Sequence, residues 1–479
     1  MSETAKLLID GDWRGASDQG TATVLDPATG KGVGDYAVGT VDDMHAAIDA
    51  ARRAFRGTDW AHAPKKRAAV LLAFADRLEA NKEEIAQLVA QQNGKLIGEA
   101  RHEVFVSVSE LRYYAGLARN IFGKVAELEP DLYAMLVTQP LGVAGIIVPW
   151  NAPITLLVRS LAPAIAAGCT SVIKPADQTS IVNAKVFELL DGLDSVPAGA
   201  INVVTGPVPV SEVLVASEDV DVISYTGSTH VGKLIMAAGA KTLKRMNLEL
   251  GGSAPCIILP DADAATTVAG ISRACFAHAG QVCMAASRVL VPNARLDELQ
   301  AAFSDTFANL KLGFQSDADA KMGTMIDQPS RERVCKLVAD ASVTDDVLVQ
   351  GEALDGEYAS GAFLSPSLLN VTDRSSPMLT QEIFGPAMSL VGYDDIEQSI
   401  EIANDSRYGL CASVWTADFR EGQRVATQLD AGTVWLNHHM RTHAEIEVGG
   451  FKESGIGRLH GVQGLEEFMH TKNISWSMG

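Results

Sequence analysis

One thiol stands out as a centre for chemistry. Cys283 lies in Phe276-Ala277-His278-Ala279-Gly280-Gln281-Val282-Cys283-Met284-Ala285-Ala286-Ser287-Arg288. Small residues and a glycine approach the cysteine between two apolar segments, which gives the backbone freedom to present a nucleophile to a substrate. A free cysteine is more often a small buried hydrophobe, so this stretch alone leaves both readings open. The remaining cysteines, Cys169, Cys256, Cys275, Cys335 and Cys411, form no CxxC pair and no regular spacing with histidines. Neither a metal site nor a disulfide framework is expected.

Two other stretches could handle charge. Thr226-Gly227-Ser228-Thr229-His230-Val231-Gly232 follows an apolar run and opens a helical pattern, so free N–H groups and the Ser228 hydroxyl could face a phosphate. The same hydroxyl could equally cap the helix. Glu249, in Asn247-Leu248-Glu249-Leu250-Gly251-Gly252, reads either as a surface carboxylate at a strand end or as a general base raised in pKa by an apolar setting. Asn151 reads by itself as a turn residue before Pro153. The glycine fingerprint GxGxxG is missing: Val208 stands where Thr205-Gly206-Pro207-Val208 would need its second glycine.

The elements that must position these residues alternate in type. Residues 1–40 carry short apolar runs broken by Gly and Pro and read as edge strands and turns, not core. From Asp42 to about Gly116, apolar residues recur at i, i+3, i+4 spacing and predict three or more amphipathic helices. Extended structure is expected from Gly123 to Gln139. Short apolar runs at 142–149, 171–175, 201–204 and 220–225 then alternate with helical patterns, predicting a parallel, doubly wound sheet that binds ligands at the carboxyl ends of its strands. A second α/β pattern holds Cys283, with apolar runs at 256–259, 289–291, 388–391 and 412–415, and Gly251-Gly252 is the expected junction. The alternating tail Ile474-Ser475-Trp476-Ser477-Met478 predicts an exposed strand that pairs with another chain or with residues 124–139.

A chain of 479 residues implies two or three domains. It has 47% hydrophobic and 20% charged residues, with no apolar run near the roughly 18 needed for a membrane span. The formal charge of −20 argues against nucleic-acid or anionic-membrane partners. The first six residues have neither the basic nor the apolar region of a secretion signal, so a cytoplasmic location is expected.

Seven stretches taken in order resemble the motif series of the NAD(P)-dependent aldehyde dehydrogenase superfamily across nearly the whole chain. They are Pro149-Trp150-Asn151, Lys174-Pro175-Ala176-Asp177-Gln178-Thr179, Tyr225-Thr226-Gly227-Ser228-Thr229, Glu249-Leu250-Gly251-Gly252, Gly280-Gln281-Val282-Cys283, Glu382-Ile383-Phe384-Gly385-Pro386, and Asn404 with Tyr408-Gly409-Leu410. The resemblance implies an α/β fold of two doubly wound domains and a small β oligomerisation element. It places a Rossmann-like NAD-binding domain at 1–117 and 141–252, a catalytic domain at 253–447, and the oligomerisation element at 118–140 and 466–479. A homodimer or homotetramer follows from it. Cys283 would be the nucleophile that makes a thiohemiacetal, Asn151 and the Cys283 N–H the oxyanion donors, and Glu249 the base for thioester hydrolysis. Lys174 and Asp177 would face the adenosine ribose. Trp150, Gly227 and Ser228 would approach the pyrophosphate, while Glu382 and Phe384 would hold the nicotinamide ribose and ring. A carboxylate at Asp177 favours NAD, although its short side chain also leaves room for NADP.

Departures from the resemblance bear on proton flow and substrate. The family often has a lysine nine residues after the asparagine and a glutamate after the arginine of the late SGxGR motif; here these are Ser160 and Leu459. Glu249 is therefore expected to relay protons through carbonyls and water. The family's PFGG becomes Glu447-Val448-Gly449-Gly450. Ala152, Leu156 and Arg159 are the expected substrate-pocket residues, and an arginine at 159 points to an acidic aldehyde. His438, His439 and His443 read as a polar surface loop or as part of the pocket mouth. A hydrolytic aldehyde dehydrogenase, a relative that passes its acyl group to coenzyme A, and a catalytically silent homologue remain the competing functions; Glu249 speaks against the second, and the set Cys283, Asn151 and Glu249 against the third.

Overall fold

The computed structural model describes residues 4–478; Met1–Glu3 and Gly479, the outermost residues of the expected first and last segments, lie outside them. Two sheets dominate it. The first has eight strands in the order Asp12–Arg14, Leu7–Ile9, Ile201–Val203, Thr170–Lys174, Val143–Ile147, Val222–Thr226, Arg245–Glu249 and Gly455–Ile456. The five central strands are parallel, as their continuous apolar runs require for burial on both faces. Those at the two ends run antiparallel.

The edge reading of residues 1–40 is corrected for one strand. Asp12–Arg14 forms the edge, but Leu7–Ile9 sits one place inward and is buried throughout. Leu7 and Ile9 face the core under helix Val41–Gly57, while Leu8 joins the core on the opposite face. A strand covered on both faces is interior whatever its position in the sequence.

The second sheet has seven strands, in the order Asp346–Val349, Ser367–Asn370, Ala387–Tyr393, Ala286–Pro292, Ala254–Ile258, Cys411–Trp415 and Thr433–Leu436. All neighbours are parallel except the first pair. Its centre coincides with the apolar runs read from the sequence, whereas Asp346–Val349, Ser367–Asn370 and Thr433–Leu436 were hidden by their mixed or half-buried composition. The tail strand Met469–Ser477 pairs antiparallel with Leu132–Pro140 of its own chain, and Lys124–Glu129 completes a three-stranded sheet with every residue of that last strand exposed. Stacking of Tyr133 on Trp476, with centroids 5.6 Å apart, reinforces the pairing.

The two large sheets meet end to end. Glu249 closes the last parallel strand of the first sheet, residues 250–253 cross over, and Ala254 opens the central strand of the second. Ala286, three residues after Cys283, lies opposite Ala254. The carboxyl ends of the first sheet thus face the amino ends of the second. In the first sheet, Val143–Ile147 lies between Thr170–Lys174 and Val222–Thr226, so successive connections leave in opposite directions and open a crevice at that switch point.

Candidate active site

The segments that follow the two strands at the switch point carry Trp150 and Asn151 on one side and Gly227 and Ser228 on the other. Asn151 is positioned from behind. Lys95 Nζ donates to the Asn151 carbonyl at 2.9 Å and pairs with the buried Glu103. Glu103 Oε1 in turn accepts the N–H of Ile154 at 2.8 Å and that of Thr155 at 3.4 Å, satisfying the first turn of helix Pro153–Ala167. The side-chain amide of Asn151, itself buried, points to the cysteine stretch and donates one hydrogen to the Gln281 carbonyl at 3.0 Å. An amide nitrogen carries two hydrogens, so the second is free to meet a ligand oxygen.

The approach to Cys283 uses the backbone freedom expected of it, though not chiefly at glycine. His278, Ala279 and Gly280 all have φ between 47° and 72°, and L side chains adopt that region at a cost. The cost is met by anchoring. Glu99 Oε1 accepts the His278 N–H at 2.7 Å, and the fully buried Gln281 bonds the His278 carbonyl at 3.0 Å and the Ile326 N–H at 2.9 Å. An Ala285 N–H to Val282 carbonyl bond of 2.9 Å closes a tight turn with Cys283 inside it.

Burial pushes the Cys283 thiol up to about 12, with Arg159 drawing it down and Glu249 and Glu382 pushing it up. The charges of these three groups all bear on the one sulfur. Glu249 is 3% exposed, its Oε1 has no hydrogen-bond partner, and burial raises it to about 7 against the pull of Arg159 and Arg458. Arg159 is buried too; its Nη2 donates to Thr226 Oγ1 at 3.1 Å, and Thr226 is the register partner of Glu249. Glu382 is raised to about 7 by burial but holds the Gly252 N–H at 3.2 Å. The glycine pair is required between them. A Cβ on Gly251 would lie 2.4 Å from Glu382 Oε2, and one on Gly252 2.5 Å from the Cys283 carbonyl. Ser454 of the late motif joins the set, accepting the Gly409 N–H at 2.9 Å and donating to the Gly251 carbonyl at 2.7 Å.

The remaining predicted residues distribute along the crevice. Lys174 and Asp177 lie 3.6 Å apart at the end of strand Thr170–Lys174; burial lowers the lysine and raises the aspartate, each offset by the other. Ser228 caps helix Thr229–Gly239 by accepting the Val231 N–H at 3.3 Å, so the capping alternative holds and its lone pair is used locally. Trp150 packs edge-on against Phe384 at 5.7 Å. Ala152 is half-buried beside the core and Leu156 is within it. Ser160 accepts from Ser224 at 2.9 Å and Leu459 is fully buried, so a hydroxyl pair and an apolar side chain stand at the two departures.

A dinucleotide fits this crevice. Asp177 Oδ1 is buried without a hydrogen-bond partner, the helix beginning at Thr229 presents its first N–H groups at the switch point, and Gly251 keeps the space beside Glu382 open. Among the described residues, no group of three or more His, Cys, Asp or Glu could hold a metal ion, and no helix is long and apolar enough to cross a membrane.

Sequence reasoning missed three contributors, Lys95, Glu103 and Gln281, and left a fourth, His439, without a role. Lys95 and Glu103 signal nothing by spacing, Gln281 was quoted only as part of a motif, and the His439 ring, half-buried on its loop, is bonded to the Met284 carbonyl at 2.8 Å. Only the adjacent pair His438-His439 after a strand pattern hinted at it.

Comparison with known proteins agrees with this geometry. Residues 13–474 match the model of the aldehyde dehydrogenase family. Betaine aldehyde dehydrogenase of Bacillus subtilis is 35% identical over 99% of this chain and 97% of its own length. The non-phosphorylating aspartate-semialdehyde dehydrogenase of Halomonas elongata is also 35% identical, over 97% and 94%. A crystal structure of betaine aldehyde dehydrogenase from Staphylococcus aureus in complex with NAD+ superposes with a TM-score of 0.97 at 34% identity, covering 99% of this chain and 95% of that one. With its motifs gathered around one thiol between two α/β sheets, and with relatives matched along nearly its whole length, the chain belongs to the aldehyde dehydrogenase family.

Proposed function

We propose that this protein oxidises an aldehyde to the free carboxylic acid with NAD, through a thioester on Cys283. The observation that carries the reading is the convergence on Cys283 of an anchored amide, Asn151, and a buried carboxylate with an unclaimed oxygen, Glu249. Lys174, Asp177 and the helix at Ser228 would hold the adenosine and phosphate end of NAD, and Glu382 with Phe384 the nicotinamide end. When bound, NAD supplies the hydride acceptor.

The protein's own residues do the rest. A thiol held near 12 stays protonated at neutral pH, so its proton leaves as the sulfur bonds to the carbonyl carbon, with Glu249 placed to take it. The oxygen that gains charge meets the second Asn151 hydrogen and the Cys283 N–H; removing one such donor costs about 3 kcal/mol of barrier. After oxidation the acyl group is a thioester. Once Glu249 has released the first proton to solvent, it takes a proton from water as the water oxygen bonds to the acyl carbon, and the sulfur leaves and regains a proton from Glu249. Ser160, Ser224 and Leu459 supply no charged relay behind it.

The division of labour we propose assigns 1–117 and 141–252 to the cofactor, 253–447 to catalysis, and 118–140 with 466–479 to assembly as a homodimer or homotetramer. Supporting assembly, Phe122, Val125, Leu128 and Met478 are exposed on or beside the three-stranded sheet. Light scattering that finds only monomer removes that part. A cytoplasmic, reducing setting suits a chain whose six cysteines are all free.

Arg159 carries the substrate part of the proposal, an acidic aldehyde. Its Nε has no partner and its charge reaches both Cys283 and Glu249. Relatives equally similar overall are named for a betaine aldehyde and for aspartate semialdehyde, so overall identity does not choose. If Arg159→Ala leaves the preference for a carboxylated aldehyde over an uncharged one of equal length unchanged, the acidic substrate is wrong. The general reading is tested by NADH formation from an aldehyde panel, with and without coenzyme A, in the parent and in Cys283→Ala. Turnover lost in the variant and indifferent to coenzyme A is expected; normal turnover in Cys283→Ala overturns the mechanism.

A further inference from the structure

A line of hydrogen bonds ends at Met284, the residue after Cys283. Trp415 Nε1 lies 3.0 Å from Ser413 Oγ, Ser413 Oγ lies 2.9 Å from His439 Nδ1, and His439 Nε2 lies 2.8 Å from the carbonyl oxygen of Met284. The donors along this line can be assigned. A carbonyl only accepts, so Nε2 carries a hydrogen. Indole nitrogen only donates, so Ser413 accepts from Trp415. The Ser413 hydroxyl then has Nδ1 as its acceptor, which makes His439 a neutral ring with its hydrogen on Nε2. Every bond points the same way, from Trp415 to Met284.

The loop that delivers the ring is fixed independently. Asn437, at φ 57, exchanges two 2.8 Å bonds with the backbone of Thr416, and Trp435 Nε1 donates to the Arg441 carbonyl at 3.0 Å. Trp435 also meets the His439 ring edge-on at 4.8 Å. Cys256 Sγ is 3.8 Å from Nδ1, against 2.9 Å for Ser413 Oγ, and burial raises that thiol to about 12, so the hydroxyl is the partner that counts. Burial likewise lowers the ring to about 4, which keeps it neutral throughout the range in which such an enzyme works.

The residues on either side of the nucleophile are therefore both held by a side chain from another element. Asn151 takes the Gln281 carbonyl and His439 takes the Met284 carbonyl. We infer that His439, oriented by Ser413 and Trp415, is a positioning residue that fixes the Val282–Ala285 turn and with it the direction of the Cys283 thiol and N–H. This inference rests on Cys283 being the nucleophile.

Three variants test it. His439→Leu keeps the bulk and removes both bonds; His439→Gln keeps a donor for the carbonyl; Ser413→Ala leaves the ring without its Nδ1 partner. Alkylation of Cys283 by iodoacetamide, followed by mass spectrometry at that residue, needs neither aldehyde nor cofactor. Pre-steady-state NADH formation reads the acylation step separately.

Misplacement of a reacting group by about an ångström costs on the order of 100-fold, and His439→Leu is expected to slow both readouts by about 10- to 100-fold, with Kd for NAD within about threefold of the parent. His439→Gln should recover most of the loss, and Ser413→Ala should fall between. Normal alkylation and acylation rates in His439→Leu, with only Tm lowered, overturn the inference; so does failure of His439→Gln to recover any of the loss. Should His439→Leu not fold, Ser413→Ala decides by the same readouts. If the parent oxidises no aldehyde, the proposed function fails while the alkylation rates still judge the positioning.

Discussion

Two carboxylates, the buried Glu249 and the half-buried Glu382, flank the crossing between the sheets, and both are raised to about 7 by desolvation. Their surroundings differ in a way that pKa does not register. Glu382 has a backbone donor, the Gly252 N–H, and lies against the bare α-carbon of Gly251, so its orientation is set. Glu249 has an oxygen with no donor and is answered only by the charges of Arg159 and Arg458. An elevated pKa thus marks both groups as unusual, while their hydrogen bonds differ: Glu382 is held by a backbone donor, and Glu249 keeps an oxygen free to take a proton.

Glu249→Gln breaks the comparison most severely. It should lower steady-state turnover by about 100- to 10,000-fold, the usual worth of a general base, and trap acyl-enzyme detectable by intact mass. In the parent, turnover should fall as pH is lowered through about 7, because the base must be ionised; a Glu249→Gln variant with the parent's rate and pH profile would remove the base from the mechanism.

The same substitution should raise stability. A carboxyl whose folded pKa lies above its unfolded value contributes stability that is complete below about 4.5 and is lost as pH rises through about 7. Glutamine mimics the protonated form at every pH. Glu249→Gln should therefore exceed the parent by on the order of 3 kcal/mol at pH 8, with the gap closing near pH 4.5, as read by denaturant melts at both pH values.

Glu382→Gln sharpens the comparison with a smaller effect. Weakening charged hydrogen bonds to a cofactor should raise KM for NAD about tenfold, near the lower end of what such bonds contribute, with no accumulation of acyl-enzyme. The smallest effect expected is at Asp177. Asp177→Ala should narrow the preference for NAD over NADP by a fewfold, read as the ratio of kcat/KM values, since it removes the carboxylate that stands beside Lys174 at the end of strand Thr170–Lys174.

Much of this was legible in one dimension. Strands buried on both faces must be apolar along their length, so the runs at 142–149, 171–175 and 220–225 declared the parallel core, and the i, i+4 pattern from Asp42 declared the helices over it. Sequence also pointed to the thiol and the carboxylate, through the family resemblance of the motifs that hold them. It could not rank Leu7–Ile9 as interior, since its cover comes from Val41–Gly57 on one face and from a separate core on the other. It could not place Gly455–Ile456 beside Arg245–Glu249, a pairing across about 200 residues that returns the chain to the first sheet.

At the site the division follows the same reasoning. Residue type determined what Cys283, Glu249 and Asn151 are able to do. Tertiary structure decided how they are held: that Lys95 and Glu103 support Asn151, that Trp150 rests on Phe384, and that His439 is bonded to the Met284 carbonyl beside Cys283. Chemistry is a property of a side chain and can be read from its letter, whereas orientation and burial belong to partners distant in sequence and arise only when the chain closes on itself.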